Sequence, residues 1–165
     1  MKKQIEELKG ELKKALRLHY KRLTDSVPDI YGYSLFTEDG VSSLGPVANR
    51  TSALPRDPSD SMYNYRRYLA VEWSEWDDFG LFGVVNRIVK EILADKRVDF
   101  PKKREAILRV ALASMCELEA EGLFGPKTSG RFLVICLSDS DDPIMMESAK
   151  LLNTPEAFAA YAREF

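Results

Sequence analysis

Apolar residues recur at three- and four-residue steps from the start of the chain: Ile5, Leu8, Leu12, Leu16, Tyr20 and Leu23. That period places them on one face of a helix. Pro28 predicts where the helix ends, because proline lacks an N–H and disfavours helix in the residue before it. The pattern then changes. Ile30 to Thr37 is dense in aromatic and aliphatic side chains and runs into Asp39-Gly40, a hairpin turn pair. A strand is predicted there, with a second from Val41 to about Val47. Pro55 and Pro58 mark Leu54 to Asp60 as a loop. Tyr65 to Trp73, with Tyr68, Leu69 and Val71, reads as a third strand suited to a pleated, half-buried surface. Helical spacing returns over Phe79 to Asp95, and again from Pro101 to about Glu121, where Gly122 supplies a stop. A short apolar strand, Arg131 to Leu137, is expected at the centre of the sheet. Helices over about Glu147–Leu152 and Pro155–Phe165 complete the chain. Together these predict an α+β fold in one globular domain over residues 1–165: an N-terminal helix, an antiparallel sheet of about four strands, and covering helices.

Composition narrows what such a domain does. At 165 residues and 45% hydrophobic, the chain is long enough to bury a core without a metal or disulfide staple. A net charge of −2 argues against a nucleic-acid binder, which carries a strongly basic balance. That near-neutrality is uneven. The first helix carries eight Lys and Arg against Glu6, Glu7 and Glu11, a local +5 that leaves −7 for the rest. Its basic face reads as solvated and not as a membrane-binding surface. The longest apolar run, Phe132 to Leu137, is far too short to span a bilayer. Gln4 to Lys9 is charged and amphipathic, unlike the core of a signal peptide. Cys116 and Cys136 sit in apolar segments and read as buried thiols. The expected setting is the cytoplasm.

Three places attract chemical attention. Asp139, Asp141 and Asp142 follow the apolar strand, where carboxylates can hold a divalent cation or act as a base. The competing reading is a strand-to-helix turn in which an Asp caps backbone N–H groups. His19, the single histidine, abuts the apolar face of the first helix and reads as a core histidine. No motif of a nucleophilic hydrolase, a zinc protease or a phosphate-binding loop is present, so no catalytic residue and no cofactor is assigned. Finally, seven of the 17 aromatic residues fall between Tyr63 and Phe82. Glu72, Glu75, Asp77 and Asp78 are interleaved with them and would repel phosphate. Core packing and a protein-facing patch both account for this stretch. The patch residues expected to bind a partner are Tyr65, Arg67, Trp73, Glu75, Trp76 and Asp77.

Several segments taken in order carry a family likeness. They are Tyr33-Ser34-Leu35-Phe36-Thr37 with Asp39-Gly40, Glu75-Trp76, Glu121-Gly122-Leu123-Phe124-Gly125, Phe132 to Asp141, and Ser148-Ala149-Lys150-Leu151-Leu152-Asn153. In these the chain resembles the uncharacterised, largely bacterial family catalogued as domain of unknown function 4303. More distantly, its plan resembles immunity proteins of the SMI1/KNR4-like type. The first resemblance implies no activity, so no residue inherits a catalytic role. The second implies, by fold-level analogy, a protein that binds and neutralises a toxin. The reading is therefore a non-enzymatic cytoplasmic protein-binding module of toxin-immunity type. A hydrolase built on Asp139, Asp141 and Asp142, with or without a metal, is one alternative. A homodimer whose aromatic patch pairs with itself is another.

Overall fold

The computed structural model describes residues 1–165. Helix α1 (Lys2–Ser26) leads into strands β1 (Ile30–Glu38) and β2 (Gly45–Arg50). A short helix α2 (Tyr63–Tyr68) and the longer α3 (Gly83–Ala94) and α4 (Phe100–Ala120) follow. Strand β3 (Phe132–Ser138) and helices α5 (Ile144–Leu152) and α6 (Pro155–Glu164) complete the chain. The sheet order is β2-β1-β3, with β1 antiparallel to β2 and parallel to β3. The fold class is α+β as expected, but the sheet is mixed and has three strands where about four antiparallel ones were expected.

Two differences explain that correction. Tyr65 to Trp73 is not a strand: Tyr63–Tyr68 is helical, and Ala70–Glu72 forms a 3₁₀ turn. Its aromatic and β-branched residues suit a half-buried surface of either kind, and here Tyr68, Ala70 and Trp73 are buried as knobs from a helix and a turn. Second, β3 lies at a sheet edge, with β1 in the centre. Its all-apolar sequence arises because both of its faces are covered. Leu133, Ile135 and Leu137 pack into a core shared with α1, α3 and α4. Phe132, Val134 and Cys136 pack into a second core with Tyr68, Trp73, Ala149 and Tyr161.

The open edge of β3 is closed by side chains of α5 and the residue after it. Asn153 Oδ1 accepts from Leu133 N–H at 2.7 Å, while its Nδ2 donates to Leu133 C=O at 2.6 Å and to Ala149 C=O at 2.8 Å. Ser148 Oγ accepts from Ile135 N–H at 2.9 Å. A serine and an asparagine five residues apart thus do the work of a fourth strand, satisfying backbone groups that burial would otherwise leave unpaired.

The other boundaries shift for local reasons. β2 begins at Gly45 and not near Val41, because Val41 has a positive φ of 52° and Thr37 Oγ1 donates to Ser43 C=O, which widens the turn. α3 begins at Gly83 and not Phe79. The Asp77 and Asp78 carboxylates accept from Phe79 and Gly80 N–H, each at 2.8 Å, and fold that stretch into a turn with Phe79 at φ 54°. Gly122, at φ 81°, ends α4 where expected, and Leu123 N–H returns to Leu118 C=O. The basic face of α1 is less free than its sequence implied. Lys9 and Lys13 pair with Glu117, and Lys13 and Arg17 with Glu121, lacing α1 to α4. Buried Lys103 caps the end of α3 by donating to Leu93 and Asp95 carbonyls. Cys116 is half-buried and Cys136 buried, and neither is in a disulfide. No helix is long and apolar enough to cross a membrane.

Candidate functional site

The aromatic stretch divides into an inside and an outside. Trp73 is 2% exposed and packs edge-on to Tyr31 and Phe132, with ring centroids 6.1 and 6.4 Å away. Its six-membered ring lies over Gly32, where an added Cβ would come within 2.9 Å of it. Burial therefore removes Trp73 from the expected partner-binding set. Trp76, three residues on, is 44% exposed. Its indole N–H donates to Trp73 C=O at 2.5 Å, and its ring meets half-buried Phe36 edge to face at 5.0 Å.

Its neighbours anchor this turn. Glu75 pairs its backbone with Ala48, N–H to C=O in both directions at 2.9 and 3.0 Å, and so covers the outer edge of β2. Pro46 lacks an N–H on that same strand, a second safeguard at the edge. The Glu75 carboxylate accepts from Arg50 Nε at 2.9 Å and from Ser74 Oγ at 3.1 Å. Asp77 is exposed, but its carbonyl accepts from His19 Nε2 at 2.9 Å.

Tyr65 and Arg67 belong elsewhere. Tyr65 is half-buried with its ring 6.4 Å from Phe165. Arg67 lies over the Tyr31 and Tyr68 rings and donates to the Ser129 and Gly130 carbonyls. Its charge is spent on internal packing. Of the six expected contact residues, Glu75, Trp76 and Asp77 stay together on one turn, and Tyr65 and Arg67 serve the packing around α2.

His19 is the buried pin of the same turn. It is 1% exposed, stacked on Phe79 at 5.1 Å, with Nδ1 2.8 Å from the Tyr33 hydroxyl. A carbonyl can only accept, so Nε2 carries the proton and the Tyr33 O–H donates to Nδ1. Burial lowers the His19 pKa, against the opposing pull of the Asp77 carbonyl and the Asp78 and Asp77 charges. Protonation would give Nδ1 a hydrogen and force the fully buried Tyr33 hydroxyl to seek another acceptor. With the folded pKa below its usual value near 6.5, the unfolded chain binds the proton first as pH falls. Stability is then expected to drop from about pH 6.5 downward until the folded His19 also titrates, at a limiting slope of about 1.4 kcal/mol for each pH unit. Urea unfolding from pH 8 to 5 should show this slope, and His19→Gln should flatten it. An equal slope in the variant would clear His19.

The acidic cluster does not converge. Asp139, at φ 52°, and Asp141 are exposed, and no group of three His, Cys, Asp or Glu side chains is arranged to hold a metal ion. Asp142 instead accepts from Arg104 Nη1 at 2.5 Å and from Ile144 N–H at 2.8 Å, capping α5. Burial works to raise its pKa, but these donors win and lower it, away from the near-neutral range a general base needs. The capping reading thus describes Asp142. Arg104 also donates to the Asp39 carboxylate at 2.9 Å. Both arginines of a 370 Å³ cleft between α4 and the start of α5, Arg104 and Arg109, are matched by carboxylates; Arg109 pairs with Glu147 at 2.6 Å. Sequence reasoning passed over Arg104, whose partners lie 65 and 38 residues away. It also missed a second exposed apolar group, Leu18 and Val84, which flank a small cleft between α1 and α3.

The family model described as domain of unknown function DUF4303 matches residues 12–154. The chain belongs to this family. No curated protein and no solved structure was found to match it. The DUF4303 span runs from the middle of α1 to just past Asn153, so it includes the whole sheet, the two side chains that close its edge, and the Trp73–Trp76 turn. Helix α6 lies outside it. The residues behind the resemblance have mainly structural roles. Tyr33 to Thr37 is the central strand, Glu75 covers β2, and Ser148 and Asn153 cover β3.

Proposed function

We propose that this DUF4303 protein is a non-enzymatic, cytoplasmic protein-binding module of the toxin-immunity kind, and that Trp76 is the centre of its contact surface. The observation that carries the reading is the contrast between two tryptophans three residues apart. Trp73 fills the core, whereas Trp76 is 44% exposed yet held by a hydrogen bond and by Phe36. A large aromatic ring immobilised before binding loses little conformational freedom on contact, which is what an interface anchor needs. The matched charges around Asp142 favour this reading over a carboxylate-based hydrolase.

A photo-crosslinking amino acid placed at position 76, in cells that make the protein, is expected to trap one other protein. That protein should arrest growth when made alone and be relieved by this chain, and Trp76→Ala should abolish the relief. Crosslinks only between copies of the chain would replace the reading with a homodimer. Relief that survives Trp76→Ala would remove Trp76 from the interface.

A further inference from the structure

We infer that the Trp76 face receives a lysine or arginine side chain from a basic segment of the partner protein. The inference rests on the binding-module reading and specifies the chemistry of the partner. The indole N–H of Trp76 is already spent on the Trp73 carbonyl, and one side of the ring meets Phe36. What remains for a partner is exposed π surface, which is electron-rich and attracts cations. No cation of this chain takes that position: Arg22 lies over Phe79, and Arg67 over Tyr31 and Tyr68.

The flanking charges have the same sign. Residues 72–78 hold Glu72, Glu75, Asp77 and Asp78 and no lysine or arginine. Only Glu75 has an ion-pair partner, Arg50. Asp77 and Asp78 each use Oδ1 to bind a turn N–H, so their carboxylates are fixed in place and each keeps a second oxygen free. Glu72 is exposed and unpaired. A rigid ring flanked in sequence by three carboxylates that lack an ion-pair partner disfavours phosphate, which argues against a nucleic acid or an anionic lipid surface as the occupant. It fits a guanidinium or ammonium, which gains both the ring and the carboxylates.

The test titrates the whole protein against three labelled 12-residue peptides, alternating Arg-Gly, Gln-Gly and Glu-Gly, followed by anisotropy at low and moderate salt. Only the Arg-Gly peptide should bind, with affinity that falls as salt rises. Trp76→Ala should weaken it about tenfold, within the range of a cation over an aromatic ring. Glu72→Gln with Asp78→Asn should weaken it and flatten the salt dependence. Asn at 78 retains an acceptor for Gly80 N–H, and circular dichroism melts of each variant confirm folding. Arg-Gly binding that is absent, or unchanged by Trp76→Ala, overturns the inference. The crosslinked partner then separates the two ideas. Partner binding lost in Trp76→Ala but insensitive to salt and to the Glu72 and Asp78 changes refutes the basic segment and leaves the module standing. Partner binding unaffected by Trp76→Ala refutes the module itself.

Discussion

Trp73→Ala is expected to destabilise the protein by about 4 kcal/mol, in the range seen when a large buried aromatic is truncated. Two terms add. The indole's apolar area returns to water on unfolding in the native chain but not in the variant, and a cavity opens beneath Tyr31 and Phe132. Collapse cannot fill that space readily, because the neighbour directly under the ring is Gly32, which has no side chain to move. The Trp73 indole N–H has no hydrogen-bond partner, so its removal returns a little of the loss. Trp76→Ala, by contrast, should cost no more than about 1 kcal/mol, since its ring is half in water already. Urea denaturation of the two variants side by side is the measurement. Equal losses would mean that the inside and outside assignments of the two tryptophans are wrong.

Asn153→Ala is expected to cost about 3 kcal/mol by a different route. The side chain is small, so little apolar burial is lost. What is lost is the partner of the buried Leu133 N–H, together with a donor to Leu133 and Ala149 carbonyls. An unpaired buried backbone group costs roughly 1–3 kcal/mol, and here one amide and two carbonyls lose a partner together. Asn153→Asp should not rescue, because it retains an acceptor for Leu133 N–H but offers no donor to the carbonyls and adds a charge in a buried position. Amide hydrogen exchange gives a local readout: Leu133 should lose protection in Asn153→Ala, and Ile135 in Ser148→Ala, with Lys150→Ala as an exposed control. Unchanged protection at Leu133 would show that the edge of β3 is closed by something other than the Asn153 side chain.

Local signals in the chain define some of these elements and leave the placement of others open. Helix α4 was legible at both ends, through Pro101 in its first turn and Gly122 after its last, because both signals act within a few bonds of the backbone they control. The apolar run that became β3 was legible as a strand. Its position at the sheet edge was not, since covering both faces with helices yields the same sequence as burial between strands. Ser148 and Asn153 carry part of the family likeness, yet nothing local in the sequence gives them a role. Their role exists only once α5 lies beside β3.

The candidate surface follows the same division. That residues 63–82 concentrate aromatic rings and carboxylates is a property of the sequence. Which tryptophan faces the core is not. Trp73 and Trp76 have equal intrinsic reason to be buried, and the choice fell to Gly32, 41 residues upstream, whose missing side chain makes room for one ring. Likewise His19 acquires its meaning from Asp77, 58 residues on, and Arg104 from Asp39 and Asp142. By itself the sequence determined the helices and strands whose period and caps are local, the uneven charge, and the stretch worth inspecting. The tertiary structure decided the strand order, the pairing of Asp142 with Arg104 and the single exposed tryptophan, because each depends on contacts between segments that no local pattern encodes.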